Sequence, residues 1–358
     1  MTAITVKAPG RICLFGDHQD YLELPIIACA IDRYITISGV VNGEDYFDFH
    51  LPNLRNGEGL RFRESIHNPR KKNHLTDTLN VVRRYGCRID KGYSITITGD
   101  IPINAVLSSS SAVVVAWTQW LLATFGCNSP ITPELVAHIA YKAEVLEQNS
   151  PGGKMDQYTS ALGNILYLET DEQSNFKNLG TQLDGLIIGV SGIPKDTIGL
   201  LGDLRGNALH AIEKAKSTYS DFELSSATLR DYGLYKDILN ASELPNFYAA
   251  IQNHLITKEA LVCFRESVLN YKKIGRLMTA HHEVLRDSLK ITVPRIDAMI
   301  HAALNAGALG AKIVGSGGGG SICALAPKGK EPEIIKAITN AGAIAAYKVN
   351  VSQGVQTL

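Results

Sequence analysis

Residues 102–112 read Pro102-Ile103-Asn104-Ala105-Val106-Leu107-Ser108-Ser109-Ser110-Ser111-Ala112, and the apolar run 113–122 follows directly. Four consecutive hydroxyl residues at the head of a long apolar helix put small side chains and unpaired backbone N–H groups at the positive end of a helix dipole. That is an anion site. Just upstream, Tyr93-Ser94-Ile95-Thr96-Ile97 alternates like a strand. The order is strand, loop, helix, the geometry in which nucleotide phosphates are commonly held. Taken alone, the stretch reads better as a serine-rich N-cap; a second glycine-rich loop far downstream tips the balance.

That second loop lies in Gly310-Ala311-Lys312-Ile313-Val314-Gly315-Ser316-Gly317-Gly318-Gly319-Gly320-Ser321, with an apolar strand over 322–325. Glycine weakens regular structure by roughly 0.5–1 kcal/mol per residue, so four in a row are expected to permit close approach of the backbone to something. A ligand-facing loop is favoured over a tight hairpin, because a two-residue turn needs far fewer glycines.

Composition bounds what these loops serve. The 358 residues are 45% hydrophobic and 20% charged, ordinary for a globular chain and enough for two domains sharing a cleft. Lys plus Arg equals Asp plus Glu at 35 each, so no broad basic face for nucleic acid is implied and anion binding must be local. Met1 to Lys7 lack a basic region followed by a long apolar core, and no uncharged stretch of about 18 apolar residues occurs. The expectation is a cytoplasmic protein with no membrane partner. Six scattered cysteines form no Cys-x-x-Cys pair, which argues against a zinc site or a disulfide framework and for small core residues. His281 and His282 are adjacent on a predicted helix and do not face each other, so they are not expected to form a metal pair.

Near the start, the strand over 4–7 runs into Ala8-Pro9-Gly10-Arg11, and Ile12 to Phe15 precede Gly16-Asp17-His18-Gln19-Asp20-Tyr21. Apolar residues giving way to polar ones read as a buried strand delivering Asp17, His18 and Asp20 into a cleft, where carboxylates accept from hydroxyls. A polar turn is at least as good a reading of the segment alone. A helix is predicted over 75–85 and another over 133–148, on which Glu144 and Glu147 share a face; solvent exposure is expected for one of them. In Ser150-Pro151-Gly152-Gly153-Lys154-Met155-Asp156-Gln157 the turn delivers Asp156 either as an N-cap or as a base held in a cleft. A strand covers 163–169, and the polar stretch 170–182 is the expected domain boundary, giving domains 1–182 and 183–358. An apolar strand begins at 183, a loop with Lys195 follows, and helices dominate 204–280 with 220–248 partly irregular. Arg70-Lys71-Lys72 reads as a solvated face or the mouth of an anionic cleft. Phe15, Tyr34 and Trp117 are expected in the core.

Residues 8–21, 102–112 and 312–321, in this order and at these separations, resemble the three motifs of the GHMP small-molecule kinase superfamily: galactokinase, homoserine kinase, mevalonate kinase and phosphomevalonate kinase. The resemblance spans nearly the whole chain. It implies a two-domain α/β (α+β) fold, with an N-terminal ribosomal-protein-S5-like domain, a C-terminal ferredoxin-like domain and the active site between them. It also implies ATP and Mg2+ as cofactors and a small-molecule acceptor, on a monomer or homodimer. Carried over by motif, Leu107, Ser108, Ser109, Ser110, Ser111, Gly315, Gly317 and Gly318 would hold the nucleotide. Ser110 and Glu144 would hold magnesium, Asp156 would be the catalytic base and Arg11 the cation beside it. Gly16-Asp17-His18-Gln19-Asp20-Tyr21 is similar to the galactokinase Gly-Glu-His-Thr-Asp-Tyr, so Asp17, His18, Asp20 and Tyr21 would bind a sugar, phosphorylated at its anomeric hydroxyl. The run 193–205 looks more like mevalonate kinase, which gives the alternative acceptor. Two usual glycines of the serine loop are Asn104 and Val106 here, and a Val is a poor occupant of a positive-φ position. Either the loop takes another path or nucleotide binding is weakened. A sugar-binding protein without turnover is the reading from another class.

Overall fold

In a computed structural model the described residues are 3–52, 60–67, 73–102, 105–180, 183–194 and 198–358. The basic run 70–72, Asn104 and Lys195 lie outside them. The strands are β1 (Ile4–Phe15), β2 (Ile26–Val41), β3 (Tyr46–Leu51), β4 (Leu60–Ser65), β5 (Tyr93–Gly99), β6 (Ile165–Leu168) and β7 (Phe176–Gly180). They continue with β8 (Leu186–Val190), β9 (Gly310–Ile313), β10 (Ser321–Leu325), β11 (Ala345–Val349) and β12 (Gln356–Thr357). The helices are α1 (His74–Arg84), α2 (Ser109–Phe125), α3 (Pro133–Tyr141), α4 (Met155–Leu162) and α5 (Ile198–Thr218). After them come α6 (Leu229–Tyr235), α7 (Glu243–Arg265), α8 (Tyr271–Asp287), α9 (Pro294–Asn305) and α10 (Glu331–Asn340).

The first sheet runs β12-β1-β2-β5-β3-β4, with β6 on β2 and β7 on β6, and the second runs β11-β8-β10-β9. β1 to β7 thus share one sheet, and β8 opens the other. The last residues do not stay with the second sheet: β12 pairs with β1, and bridges join Val351 to Ile31 and Gln353 to Gly163.

α2 is apolar on all sides because both of its faces are covered. Trp117 and Trp120 are fully buried against Phe47, and their indole N–H groups donate to Leu75 O and Ile4 O. α2 therefore lies clamped beneath the first sheet with its serine end at a fixed point.

β1 is longer than its sequence suggests. It continues through Pro9 with a register irregularity at Pro9/Gly10, where the buried Ser160 hydroxyl donates to Pro9 O at 2.7 Å. Removing that donor by Ser160→Ala is expected to lower stability by about 1 kcal/mol, read from a denaturant midpoint. A Cβ at Gly10 would stand 2.8 Å from Leu107 O, so glycine lets the serine loop lie directly on β1. Arg11 is thereby set beside the loop, its N–H on Leu107 O at 3.2 Å.

Four local expectations change. The stretch 170–182 holds β7 rather than only a loop, because its turn-forming residues 171–175 reverse the chain into an edge strand on β6. The predicted helix 133–148 breaks after Tyr141 into a π-helical turn, Lys142–Leu146, closed by Glu147 N–H on Lys142 O. The glycine run does join two antiparallel strands, β9 and β10, through a loop over 314–320. Tyr34 is half-buried rather than core, its hydroxyl on Ser352 and Lys7 over its ring; Phe15 and Trp117 are fully buried. All six cysteines are free thiols, and among the described residues no helix is long and apolar enough to cross a membrane.

Candidate active site

A cavity of about 2200 Å³ opens between the end of β1, the start of α2, the π turn, the loop before α4 and the β9–β10 hairpin. Single-ligand pockets are commonly about 300–1,000 Å³, so two ligands fit here side by side. Arg11, Asp20, Asp156, Glu144, Ser108 to Ser111, Gly315 and Ser316 all line it. Two loops some two hundred residues apart in sequence thus face one space.

The serine loop is held by its carbonyls. Ala105 O accepts from Ser321 Oγ (2.7 Å), Val106 O from Arg11 Nη1 (3.1 Å) and Leu107 O from Arg11 N–H. Leu107 is buried and contributes that carbonyl; it is not a cavity residue. The ladder of α2 begins with Ala112 N–H on Ser108 O, which leaves the N–H groups of Ser109, Ser110 and Ser111 as the helix's orphan donors. Ser108 sits at φ 59°, and its buried hydroxyl has no protein partner.

Val106 does take a positive φ, 60°, a β-branched residue where glycine is at ease. Such strain costs of order 1–3 kcal/mol and persists only where surroundings over-determine it. The surroundings are the hairpin: a Cβ at Gly315 would stand 2.3 Å from Val106 Cγ1, and one at Gly320 2.2 Å from Cγ2. Val106 is a wedge between two glycines, locking the loops together. This corrects the reading of the glycine run as chiefly ligand-facing. Gly317 and Gly318 do not line the cavity; a Cβ at Gly317 would meet Ile291, and Gly318 N–H donates to Ile291 O at 2.8 Å. Gly315 lines the cavity, but its N–H is also taken.

At the base of the cavity Arg11 holds Asp156, with Nε 2.7 Å and Nη2 2.6 Å from Oδ1. Arg11 is buried; burial alone would discharge it, but the Asp156 charge and hydrogen bond more than offset that and hold its pKa above the ordinary value. Asp156 lies in the first turn of α4, where the dipole favours an anion. Beside it, Asp20 is pushed up to about 6 by burial and then by the Asp156 charge.

His18 Nε2 lies 3.2 Å from Ser316 O, which can only accept, so Nε2 carries the proton. Nδ1, 3.0 Å from Tyr21 Oη, then accepts from the Tyr21 hydroxyl. Burial holds His18 down at about 4, so it is neutral, with both nitrogens engaged. Tyr21 keeps oxygen lone pairs for a ligand donor. Asp17 is different: both its oxygens are bonded within the protein, one to Lys312 and one to Gly315 N–H.

Of the two glutamates, Glu147 pairs with Arg84 at 2.5 Å and Glu144 turns inward. Glu144 Oε2 accepts from Gln157 Nε2 at 2.6 Å, and burial raises its pKa against the donors of Gln157 and Ser111. Gln157 and Lys312 are the participants the sequence did not flag. A lysine inside the apolar strand β9 was the available signal, since buried lysines are paired.

Residues 73–164 match the GHMP kinases N terminal domain, 260–344 the GHMP kinases C terminal domain, and 2–39 the galactokinase galactose-binding signature. A mevalonate kinase of Thermococcus sibiricus is 29% identical over 352 residues, covering 95% of this chain and 93% of that protein. A galactokinase of Haemophilus influenzae is 27% identical over 354 residues, covering 94% and 88%. The fold matches Lactococcus lactis galactokinase complexed with galactose at a TM-score of 0.88 and 20% identity, over 99% of this chain and 95% of that one. Methanococcus jannaschii mevalonate kinase matches at 0.72 and 20% identity, over 98% and 99%. With both domain signatures in order around a shared cleft, the chain belongs to the GHMP kinases, a family of ATP-dependent small-molecule kinases.

Proposed function

We propose that the chain transfers the γ-phosphoryl group of ATP to the anomeric hydroxyl of a monosaccharide or sugar derivative. The observation that carries this is the Arg11–Asp156 pair on the same cavity as the orphan N–H groups of α2, beneath the hydroxyl-accepting Asp20 and Tyr21. Residues 2–39, which match the galactose-binding signature, supply Arg11, Asp20 and Tyr21.

Phosphoryl transfer needs the donor and acceptor oxygens in line and charge neutralised on the transferred group. The N–H groups of Ser109 to Ser111 and the unpartnered hydroxyls of Ser108 and Ser316 offer that neutralisation along the triphosphate. Asp156 orients the acceptor hydroxyl and takes its proton as the new O–P bond forms and ADP leaves. Arg11 stabilises both that carboxylate and the approaching phosphoryl oxygens.

Ser110 and Glu144, both on the cavity, are the residues that would hold a divalent ion, while the serine hydroxyl set against Glu144 is that of Ser111. They bring one hydroxyl and one buried carboxylate to the cavity, and no cluster of three or more His, Cys, Asp or Glu occurs among the described residues. So few protein ligands suit Mg2+, which keeps waters and substrate oxygens in its shell. When bound, it would offset phosphate charge.

An ADP-release assay over monosaccharides, uronic acids and mevalonate tests the proposal. Release with a sugar supports it; release with mevalonate alone replaces it with the reading favoured by the archaeal relatives. Sugar binding without release assigns a non-catalytic role, the reading favoured by the strained Val106.

Asp20 predicts a pH dependence. Its carboxylate must be ionised to accept from acceptor hydroxyls, so kcat/KM is expected to rise with pH through an apparent value near 6. Asp20→Asn should remove that limb. The stability sign is opposite: a carboxyl whose folded pKa is raised stabilises the fold as pH falls from about 6 toward 3.8.

A further inference from the structure

Asp17 lies at the end of β1 and Lys312 in β9, and both side chains are fully buried. Asp17 Oδ2 accepts from Lys312 Nζ at 2.5 Å, and its Oδ1 accepts from Gly315 N–H at 2.7 Å. Lys312 Nζ also donates to Cys13 O at 3.0 Å. His281 covers the pair, its Nδ1 3.9 Å from Asp17 Oδ2 and its ring stacked on Phe15. The cluster ties the strand that carries Arg11 to the hairpin that carries Ser316. A buried ion pair contributes little net stability, and one use for it is to fix a register. Here the register is that of Gly315, pinned by Asp17 from one side and by Val106 from the other.

We propose that Asp17 and Lys312 are a positioning pair that sets the glycine hairpin against the serine loop for the nucleotide, and that Asp17 does not read the acceptor. The proposal rests on the kinase reading above. It leaves Asp20 and Tyr21 to recognise acceptor hydroxyls. An aspartate in place of the longer glutamate of galactokinase-like motifs is in keeping with a carboxylate drawn back to Lys312.

The test is Asp17→Asn/Lys312→Met, which neutralises both charges and keeps their volume. Amide exchange over residues 313–321 should quicken at least tenfold. Affinity for MgAMPPNP should fall at least tenfold, with D-galactose binding changed less than twofold. The proposal is overturned if exchange and MgAMPPNP affinity stay within twofold of wild type, or if D-galactose binding weakens as much as nucleotide binding. Should the double variant not fold, Lys312→Arg carries the same comparison, since it keeps both buried charges and changes only the donors that hold Asp17. Exchange needs no ligand, so unchanged exchange overturns the positioning pair even where the kinase reading itself fails, and the split between MgAMPPNP and D-galactose affinity separates positioning from a merely structural role.

Discussion

Asp156→Asn is expected to lower kcat by about 10³-fold, within the range by which a positioned general base accelerates proton transfer. Asparagine keeps the size and one acceptor oxygen for Arg11, so the contact at Oδ1 survives in weakened form. What it loses is the capacity to take the acceptor's proton as the O–P bond forms. The proposed place of the nucleotide is the serine loop rather than α4, so MgATP affinity should stay within about threefold. Single-turnover rates and a nucleotide titration separate the two effects. Unchanged turnover would remove Asp156 from the chemistry.

Arg11→Met should be nearly as damaging, with kcat lower by about 10²–10³-fold, the scale for removing one preorganised charge stabiliser. Arg11 serves Asp156 and Val106 O at once, so its loss leaves a carboxylate and a strained loop carbonyl without donors. A stability loss of about 1–3 kcal/mol accompanies the kinetic one; the side chain of Asp156 is 30% exposed, so water offsets part of its lost partner. Arg11→Lys restores the charge with fewer fixed donors, and should recover part of kcat. Wild-type kcat in Arg11→Met would contradict the role.

The fold was legible where chemistry is written locally. Strand, serine loop and apolar helix follow one another in eleven residues and their flanks, and β5 and α2 form as read. The strain at Val106 was legible too, because a β-branched residue replacing a glycine announces its own conformational cost. What was not legible depends on distant partners. Asp17 meets Lys312 across 295 residues of chain, so no local reading of the motif could show that both oxygens of this carboxylate are bonded to β9 and the loop after it. The glycine run is legible only in part for the same reason: Gly315 and Ser316 face the cavity, but Gly315, Gly317 and Gly320 also make room for Val106 and Ile291, protein atoms no window of sequence contains. The π turn that carries Glu144 contains no breaker residue, so helical periodicity alone passes through it.

A crystal structure with MgAMPPNP decides whether the two loops hold one nucleotide. One triphosphate should lie between the N–H groups of Ser109 to Ser111 and Ser316, its terminal group directed at the Arg11–Asp156 pair. A nucleotide bound away from that pair, or held by only one of the two loops, would contradict this placement.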